Sequence, residues 1–88
     1  MTVDELRLVL GANVLRRRTE CGLSQRALGE VAGVSFAQIN RIEKGVCSTP
    51  VDMLAKLSAA LDTEPLFFLT PPSKRSAAPT KKILTDVA

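Results

Sequence analysis

Apolar residues recur three or four positions apart through the first 70 residues, a spacing typical of helices that pack against a core. The first such segment runs from Val3 to Glu20, and Gly22 after it is a natural C-terminal stop. We therefore predict a long first helix over residues 3–20. Its inward positions are expected to be Leu6, Val9, Leu10 and Val14.

A short second helix is predicted next, preceded by a serine and followed by a glycine. Ser24 can cap a helix over Gln25–Ala32, because its hydroxyl can accept a hydrogen bond from the first turn. Gly33 ends that helix in the way that glycine ends many helices. The spacing along this segment predicts two residues on its buried side, Leu28 and Val31.

A third helix is predicted over Ser35–Lys44. Ser35 and Gln38 have the spacing of a capping box, in which each side chain binds the backbone of the other residue. Gly45 closes the helix. The apolar residues that share one face, and are therefore expected to be buried, are Ile39 and Ile42.

Thr49 is expected to cap a fourth helix, with Pro50 in its first position and Asp52 in its third. Its apolar stripe is predicted to consist of Val51, Leu54, Leu57 and Leu61. A short fifth helix follows over residues 64–69, and two prolines, 71 and 72, end the folded region. The pattern thus predicts an all-α, compact five-helix domain over residues 1–70, with a linker and a flexible basic tail over residues 71–88.

Composition excludes several classes of protein. The chain has no histidine and only two cysteines, Cys21 and Cys47, without the spacing of a zinc site, so we expect free thiols, no metal and no cofactor. With no base beside a nucleophile, an enzyme is not expected. No apolar run approaches the roughly 18 residues of a membrane span, and acids stand near the N-terminus where a signal peptide has bases. These features favour a cytoplasmic protein without a membrane partner.

The net charge of +3 is confined to the end of the chain. Residues 1–70 contain eight bases and eight acids, whereas residues 71–88 contain four bases and one acid. The domain itself is therefore neutral. An affinity of the domain for nucleic acid has to come from the placement of its charges and not from their total.

The second and third helices have the arrangement that carries function. Only Gly33 and Val34 lie between the second helix and the cap of the third. So short a connection forces the two helices to cross sharply, which is the helix-turn-helix geometry. Gly29 lies where a larger side chain would hold the two helices apart, which makes its role structural. We expect Val34 and Ile39 to fill the angle between the helices.

The run GLSQRALGEVAGVSFAQINRIEKG resembles the helix-turn-helix of the Cro and phage-repressor family, also called XRE-like transcriptional regulators. The likeness covers residues 10–69 and leaves out the tail. The resemblance implies a lambda-repressor-like domain that binds double-stranded DNA as a dimer. It also implies regulation of transcription, as a repressor or autoregulator on a (pseudo)palindromic operator.

The resemblance assigns DNA-binding roles residue by residue. Gln25 matches the family residue that binds a DNA phosphate at the start of the second helix; a solvated glutamine is the alternative. The third helix is expected to lie in the major groove. Arg41 either reads guanine through O6 and N7 or contacts a phosphate, and Lys44 is expected to touch the backbone. The remaining residues expected at the groove are Ser35, Phe36, Ala37, Gln38 and Asn40.

Phe36 departs from the polar residue common at its position in the family. It either contacts thymine methyl groups or folds against a neighbouring helix. Glu43 matches a structural position of the family that pairs with a basic residue late in the first helix. Arg18 stands at that place here, and it would also lie near a phosphate. Arg17 replaces a residue that is usually apolar; with Arg16 it either contacts the DNA backbone or is solvated.

The dimer interface is expected near the fourth and fifth helices, because four consecutive apolar residues cannot all face one core. These residues are Leu66, Phe67, Phe68 and Leu69. An antitoxin is the alternative function, in which the tail would hold a toxin or another protein. The tail is otherwise interpreted as an electrostatic aid to DNA binding or as a strand that supports the dimer.

Overall fold

Five α-helices follow one another along residues 1–72, the part of the chain that this computed structural model describes. They are α1 (Val3–Glu20), α2 (Gln25–Ala32), α3 (Phe36–Lys44), α4 (Val51–Ala60) and α5 (Pro65–Leu69). No strand occurs within residues 1–72, so the prediction of an all-α, five-helix fold is confirmed. The interpretations placed on the tail concern residues 73–88, which lie outside the described part.

Side chains cap the first three helices. Thr2 and Glu5 form a complete capping box at α1, and the hydrogen bonds that Glu5 receives from the backbone and the hydroxyl of Thr2 lower the pKa of its carboxyl group. The hydroxyl of Ser24 accepts from the backbone of Ala27 at 3.0 Å. Ser35 caps α3 in the same way, but the amide of Gln38 is directed 3.7 Å to the sulfur of Cys47, so only half of the predicted capping box forms.

The start of α4 differs from the prediction. Pro50 and not Thr49 occupies the N-cap position, and no side chain caps this helix. Because α4 begins at Val51, the Thr49 hydroxyl stands one residue too early to reach the N–H groups that a cap satisfies. The first turn of α4 therefore lacks the side-chain support that α1, α2 and α3 have.

The core lies where all five helices meet. Its buried apolar residues are Leu10, Val14, Leu28, Val34, Ile39, Ile42, Leu57, Leu61 and Phe68. Three residues predicted to face inward are exposed instead: Leu6 is 37 % exposed, Val31 63 % and Val51 79 %. The buried side of α2 is centred between Leu28 and Gly29, which turns Val31 to its edge, while Leu6 and Val51 lie in first turns beyond the core.

Two glycines permit helices to approach closely. A Cβ on Gly29 would lie against the carbonyl oxygen of Val34, in agreement with the packing role expected for Gly29. A Cβ on Gly11 in α1 would collide with the carbonyl oxygen of Ile42 and lie 2.8 Å from that of Glu43 in α3. Helical spacing gave no indication of this role for Gly11, which allows α1 to lie directly against the C-terminal half of α3.

Helix α1 also supplies the caps that α4 and α5 lack at their C-termini. The buried amide of Asn13 donates to the carbonyl oxygens of Phe68 at 2.8 Å and Thr70 at 3.0 Å. The guanidinium of Arg17 donates 2.9 Å to the carbonyl of Leu61. Of the two expectations for Arg17, the solvated charge is therefore wrong, because its donors satisfy the carbonyls that end α4. The contact with the DNA backbone stays a prediction.

Candidate nucleic-acid interface

The third helix has one buried and one exposed face. Ile39 and Ile42 are buried against α1 and α2, as predicted. The opposite side, which we call the outer face of α3, consists of Ser35, Phe36, Ala37, Gln38, Arg41 and Lys44. All of these residues except the half-buried Gln38 are exposed to solvent. The outer face is therefore a polar and partly cationic surface with a single aromatic ring.

A cluster of hydrogen bonds, here the Glu43 network, fixes α3 to α1 and α2. Arg18 binds both carboxylate oxygens of Glu43, at 2.5 and 3.1 Å, and donates to the carbonyl of Leu23 at 2.8 Å. The amide nitrogen of Gln25 donates 2.8 Å to the same carboxylate. Asn40 completes the network by donating 3.3 Å to the amide oxygen of Gln25.

The Glu43 network is shielded from water. The side chain of Glu43 is 5 % exposed and that of Arg18 is 12 % exposed, so the predicted ion pair forms where water screens it little. The guanidinium of Arg18 and the carboxylate of Glu43 balance each other's charge and are joined by a bidentate pair of hydrogen bonds. This network sets the angle at which α3 presents its outer face.

Besides Arg18, two other residues expected at the DNA lie in this network, Gln25 and Asn40. The interpretation of Gln25 as a solvated glutamine is wrong, because Glu43 and Asn40 hold both ends of its amide. A primary amide has two N–H donors, however, and Glu43 receives only one of them. Asn40 is half-buried and points its amide toward α2.

On the outer face, the longest side chains have few partners. Arg41 is exposed and donates 3.2 Å to the amide oxygen of Gln38, three residues before it. Phe36 is 45 % exposed, and the guanidinium of Arg26 in α2 lies over its ring with 4.9 Å between the guanidinium carbon and the ring centroid. Phe36 thus contacts a neighbouring helix, one of its two expected environments, and part of its ring stays exposed. The contact with thymine methyl groups stays a prediction.

Arg26 is the residue at this surface that the sequence analysis missed. Arg26 is the second residue of α2, and the neighbouring sequence does not distinguish it from an ordinary solvated arginine. Its contact with Phe36 spans ten positions and depends on the angle between α2 and α3. Only the folded helix pair brings the two side chains together.

The four apolar residues of α5 separate into different environments. Phe68 is fully buried, so its assignment to a dimer interface is wrong: it belongs to the core of its own chain. Phe67 is half-buried and packs edge-to-face on Phe68, with 5.5 Å between ring centroids. Leu66 is 67 % exposed and Leu69 is half-buried.

The comparisons with known proteins agree with this geometry. A family model described as helix-turn-helix matches residues 14–68, most of the described domain. The chain belongs to this helix-turn-helix family. It is the family of Cro-like and XRE-like regulators that the sequence motif resembles, and its members are transcriptional regulators and not enzymes.

Two curated relatives of this family come from Sinorhizobium fredii. The uncharacterized HTH-type transcriptional regulator y4wC is 39 % identical over 59 residues, which cover 67 % of this chain and 41 % of that protein. The regulator y4aM is 36 % identical over 61 residues, covering 69 % and 43 %. The chain thus matches about two fifths of the length of these curated relatives.

Solved helix-turn-helix structures superpose well on this chain. The hypothetical transcription factor NHTF from Neisseria has a TM-score of 0.78 at 27 % identity, covering 85 % of this chain and 86 % of that one. The restriction-modification controller protein C.AhdI from Aeromonas hydrophila has a TM-score of 0.69 at 29 % identity, covering 70 % and 94 %. The DNA-binding domain of the P22 c2 repressor has a TM-score of 0.66 at 32 % identity, covering 68 % and 79 %.

Within residues 1–72, no group of acidic residues and cysteines has the arrangement of a metal site. No helix in this range is both long and apolar enough to cross a membrane. Both cysteines are free thiols.

Proposed function

We propose that this chain is a sequence-specific regulator of transcription that binds operator DNA as a dimer, with α3 in the major groove. The observation that carries the proposal is the outer face of α3, which is exposed while its inner face is anchored by the Glu43 network. A rigid helix with accessible polar side chains is what direct recognition of base edges requires.

In this arrangement, Gln25 is the phosphate contact that orients the helix. Its second amide N–H, and the backbone N–H groups of the first turn of α2 that the Ser24 cap does not satisfy, are donors from which a phosphate oxygen can accept. Glu43 holds the amide in place at 2.8 Å, so little side-chain entropy is lost on binding. Arg41 reads a base from the outer face, and Lys44 contacts the backbone.

The dimer is proposed to form through α5. Leu66 is 67 % exposed and adjoins the half-buried Phe67 and Leu69, an apolar surface that a second copy can cover. One recognition helix covers few base pairs, so two copies bound about 34 Å apart give the specificity that one cannot. The antitoxin alternative depends on the tail, outside residues 1–72, and no observation favours it. A role as repressor or autoregulator in the cytoplasm is part of the proposal.

Selection of bound duplexes from a random DNA pool tests this function. We expect enrichment of two related half-sites in inverted orientation, with centres about one helical turn apart. Sedimentation at micromolar concentration should show a dimer that Leu66→Glu dissociates, while the helical circular dichroism signal is retained. Failure to enrich any sequence at moderate salt would contradict the proposal.

A further inference from the structure

Arg26 differs from the other arginines of the described part in what its guanidinium contacts. Every other arginine of residues 1–72 donates a hydrogen bond to a side chain or a carbonyl. Within that range the guanidinium of Arg26 makes neither a hydrogen bond nor an ion pair, although Glu30 stands one turn along the same helix. All five of its N–H donors are therefore available to a ligand.

The cation–π contact with Phe36 places these donors at the start of α3. The guanidinium carbon lies 4.9 Å from the centroid of the Phe36 ring, and Phe36 is the first residue of α3. A planar guanidinium held over an aromatic face keeps its edge free for bidentate hydrogen bonding. An apolar ring and a free hydrogen-bonding fork thus stand side by side on the exposed surface.

We propose that Arg26 and Phe36 together read two neighbouring base pairs, a thymine and the guanine beside it, which rests on the proposed function of sequence-specific binding. The ring contacts the thymine methyl group, and the guanidinium donates to O6 and N7 of the guanine. Successive bases rise by about 3.4 Å. The separation of 4.9 Å between the two groups exceeds one such step and is less than two, which suits adjacent base pairs.

The first experiment is the random-pool selection with the parent chain. The expected result is a half-site in which thymine and guanine are neighbours on one strand. A consensus without this step would overturn the assignment to Arg26 and Phe36 and leave the proposed function intact. A pool from which nothing is enriched would overturn both.

The second experiment removes single atoms or groups from the selected duplex. Uracil in place of the thymine lacks only the methyl group, and 7-deazaguanine in place of the guanine lacks only N7. Binding of each duplex is measured by fluorescence anisotropy. For the parent chain we expect each replacement to weaken binding about five-fold or more.

Two variants then separate the two contacts. Arg26→Gln should become indifferent to 7-deazaguanine and still prefer thymine over uracil. Phe36→Leu keeps an apolar side chain but no ring, so it should keep the preference for thymine and lose part of the preference for guanine. Lys56→Gln, which removes an exposed cation on α4, is the matched control and should keep both preferences.

Two results would overturn the proposal. If Arg26→Gln weakens binding to all duplexes by one factor, or leaves all unchanged, the guanidinium does not read guanine. If Phe36→Leu leaves the guanine preference unchanged, the ring does not position the guanidinium. Thermal unfolding of each variant, followed by circular dichroism, verifies that the compared proteins are folded.

Discussion

The inner and outer faces of α3 differ in how much of their hydrogen-bonding capacity the chain itself uses. On the inner face, Glu43 accepts three hydrogen bonds from Arg18 and Gln25 and is almost completely buried. On the outer face, Arg41 makes one exposed contact, to Gln38. Substitutions of the inner face should therefore change stability, whereas those of the outer face should change recognition alone.

The largest effect is expected for Glu43→Ala. Without the carboxylate, the guanidinium of Arg18 stays buried with only the carbonyl of Leu23 as a partner. Loss of one partner of a buried ion pair costs about 3–5 kcal/mol of unfolding free energy. Urea denaturation measures this loss. Glu30→Ala, at an exposed position of α2, is the control and should change stability by no more than about 0.5 kcal/mol.

A double variant sharpens this prediction. Arg18→Met combined with Glu43→Leu removes both charges and keeps apolar volume, so it should be more stable than Glu43→Ala. If the double variant were less stable than the single one, an uncompensated charge would not be the cause of the loss.

A smaller loss is expected for Asn13→Leu. The amide of Asn13 donates to carbonyls at the end of α5, at 2.8 Å for Phe68 and 3.0 Å for Thr70, and leucine leaves these acceptors without that donor. Each buried group left unsatisfied costs about 1–3 kcal/mol, so we expect a loss of about 2–3 kcal/mol in chemical denaturation. Thr19→Ala on the exposed side of α1 is the control. Equal stability of the two variants would show that this cap contributes nothing.

Arg41→Ala tests the outer face. We expect no change in melting temperature, but a loss of about 1–3 kcal/mol in specific binding and a relaxed preference at one base pair of each half-site. Selection and anisotropy with the variant measure both. An equal loss on every sequence would instead make Arg41 a phosphate contact. Gln25→Ala should show that second pattern, because a phosphate carries no sequence information directly.

The smallest effect is expected at the end of α4. Asp62 has a φ of 52°, a left-handed conformation that is unfavourable for residues other than glycine. Its negative charge also lies at the C-terminal end of α4, where the helix dipole is negative. Asp62→Gly should therefore raise the unfolding free energy by about 0.5–1 kcal/mol, seen as a higher melting temperature. Asp62→Asn, which removes only the charge, should give part of this gain. A lower melting temperature for the glycine variant would refute the prediction.

Local signals in the sequence were sufficient for most of the fold. The bounds of α1 and α2 agree with the prediction at both ends, because helical spacing and caps depend on residues within about four positions of each other. The left-handed glycine at position 33, with a φ of 73°, marks such an end. Thr49 failed as a cap through an equally local detail, the placement of Pro50.

Periodicity was less reliable for burial. It shows which residues share a side of a helix, but not how far the neighbouring helices extend over that side. Val31 and Val51 have helical spacing and are exposed for this reason. In α5 the spacing showed that the four apolar residues could not all face inward, but the packing alone decided that Phe68 is the core residue.

The helix order, the helix-turn-helix and the residues on the outer face of α3 could be predicted from the sequence, since they follow from short-range spacing and from a recognisable motif. The tertiary structure decided the partners of α1. Arg17 meets Leu61, 44 positions away, and Asn13 meets Phe68, 55 positions away. The angle between α2 and α3 likewise brought Arg26 to Phe36. Such contacts depend on where helices cross, and a crossing is set by the packing of all five helices together, which no local pattern encodes.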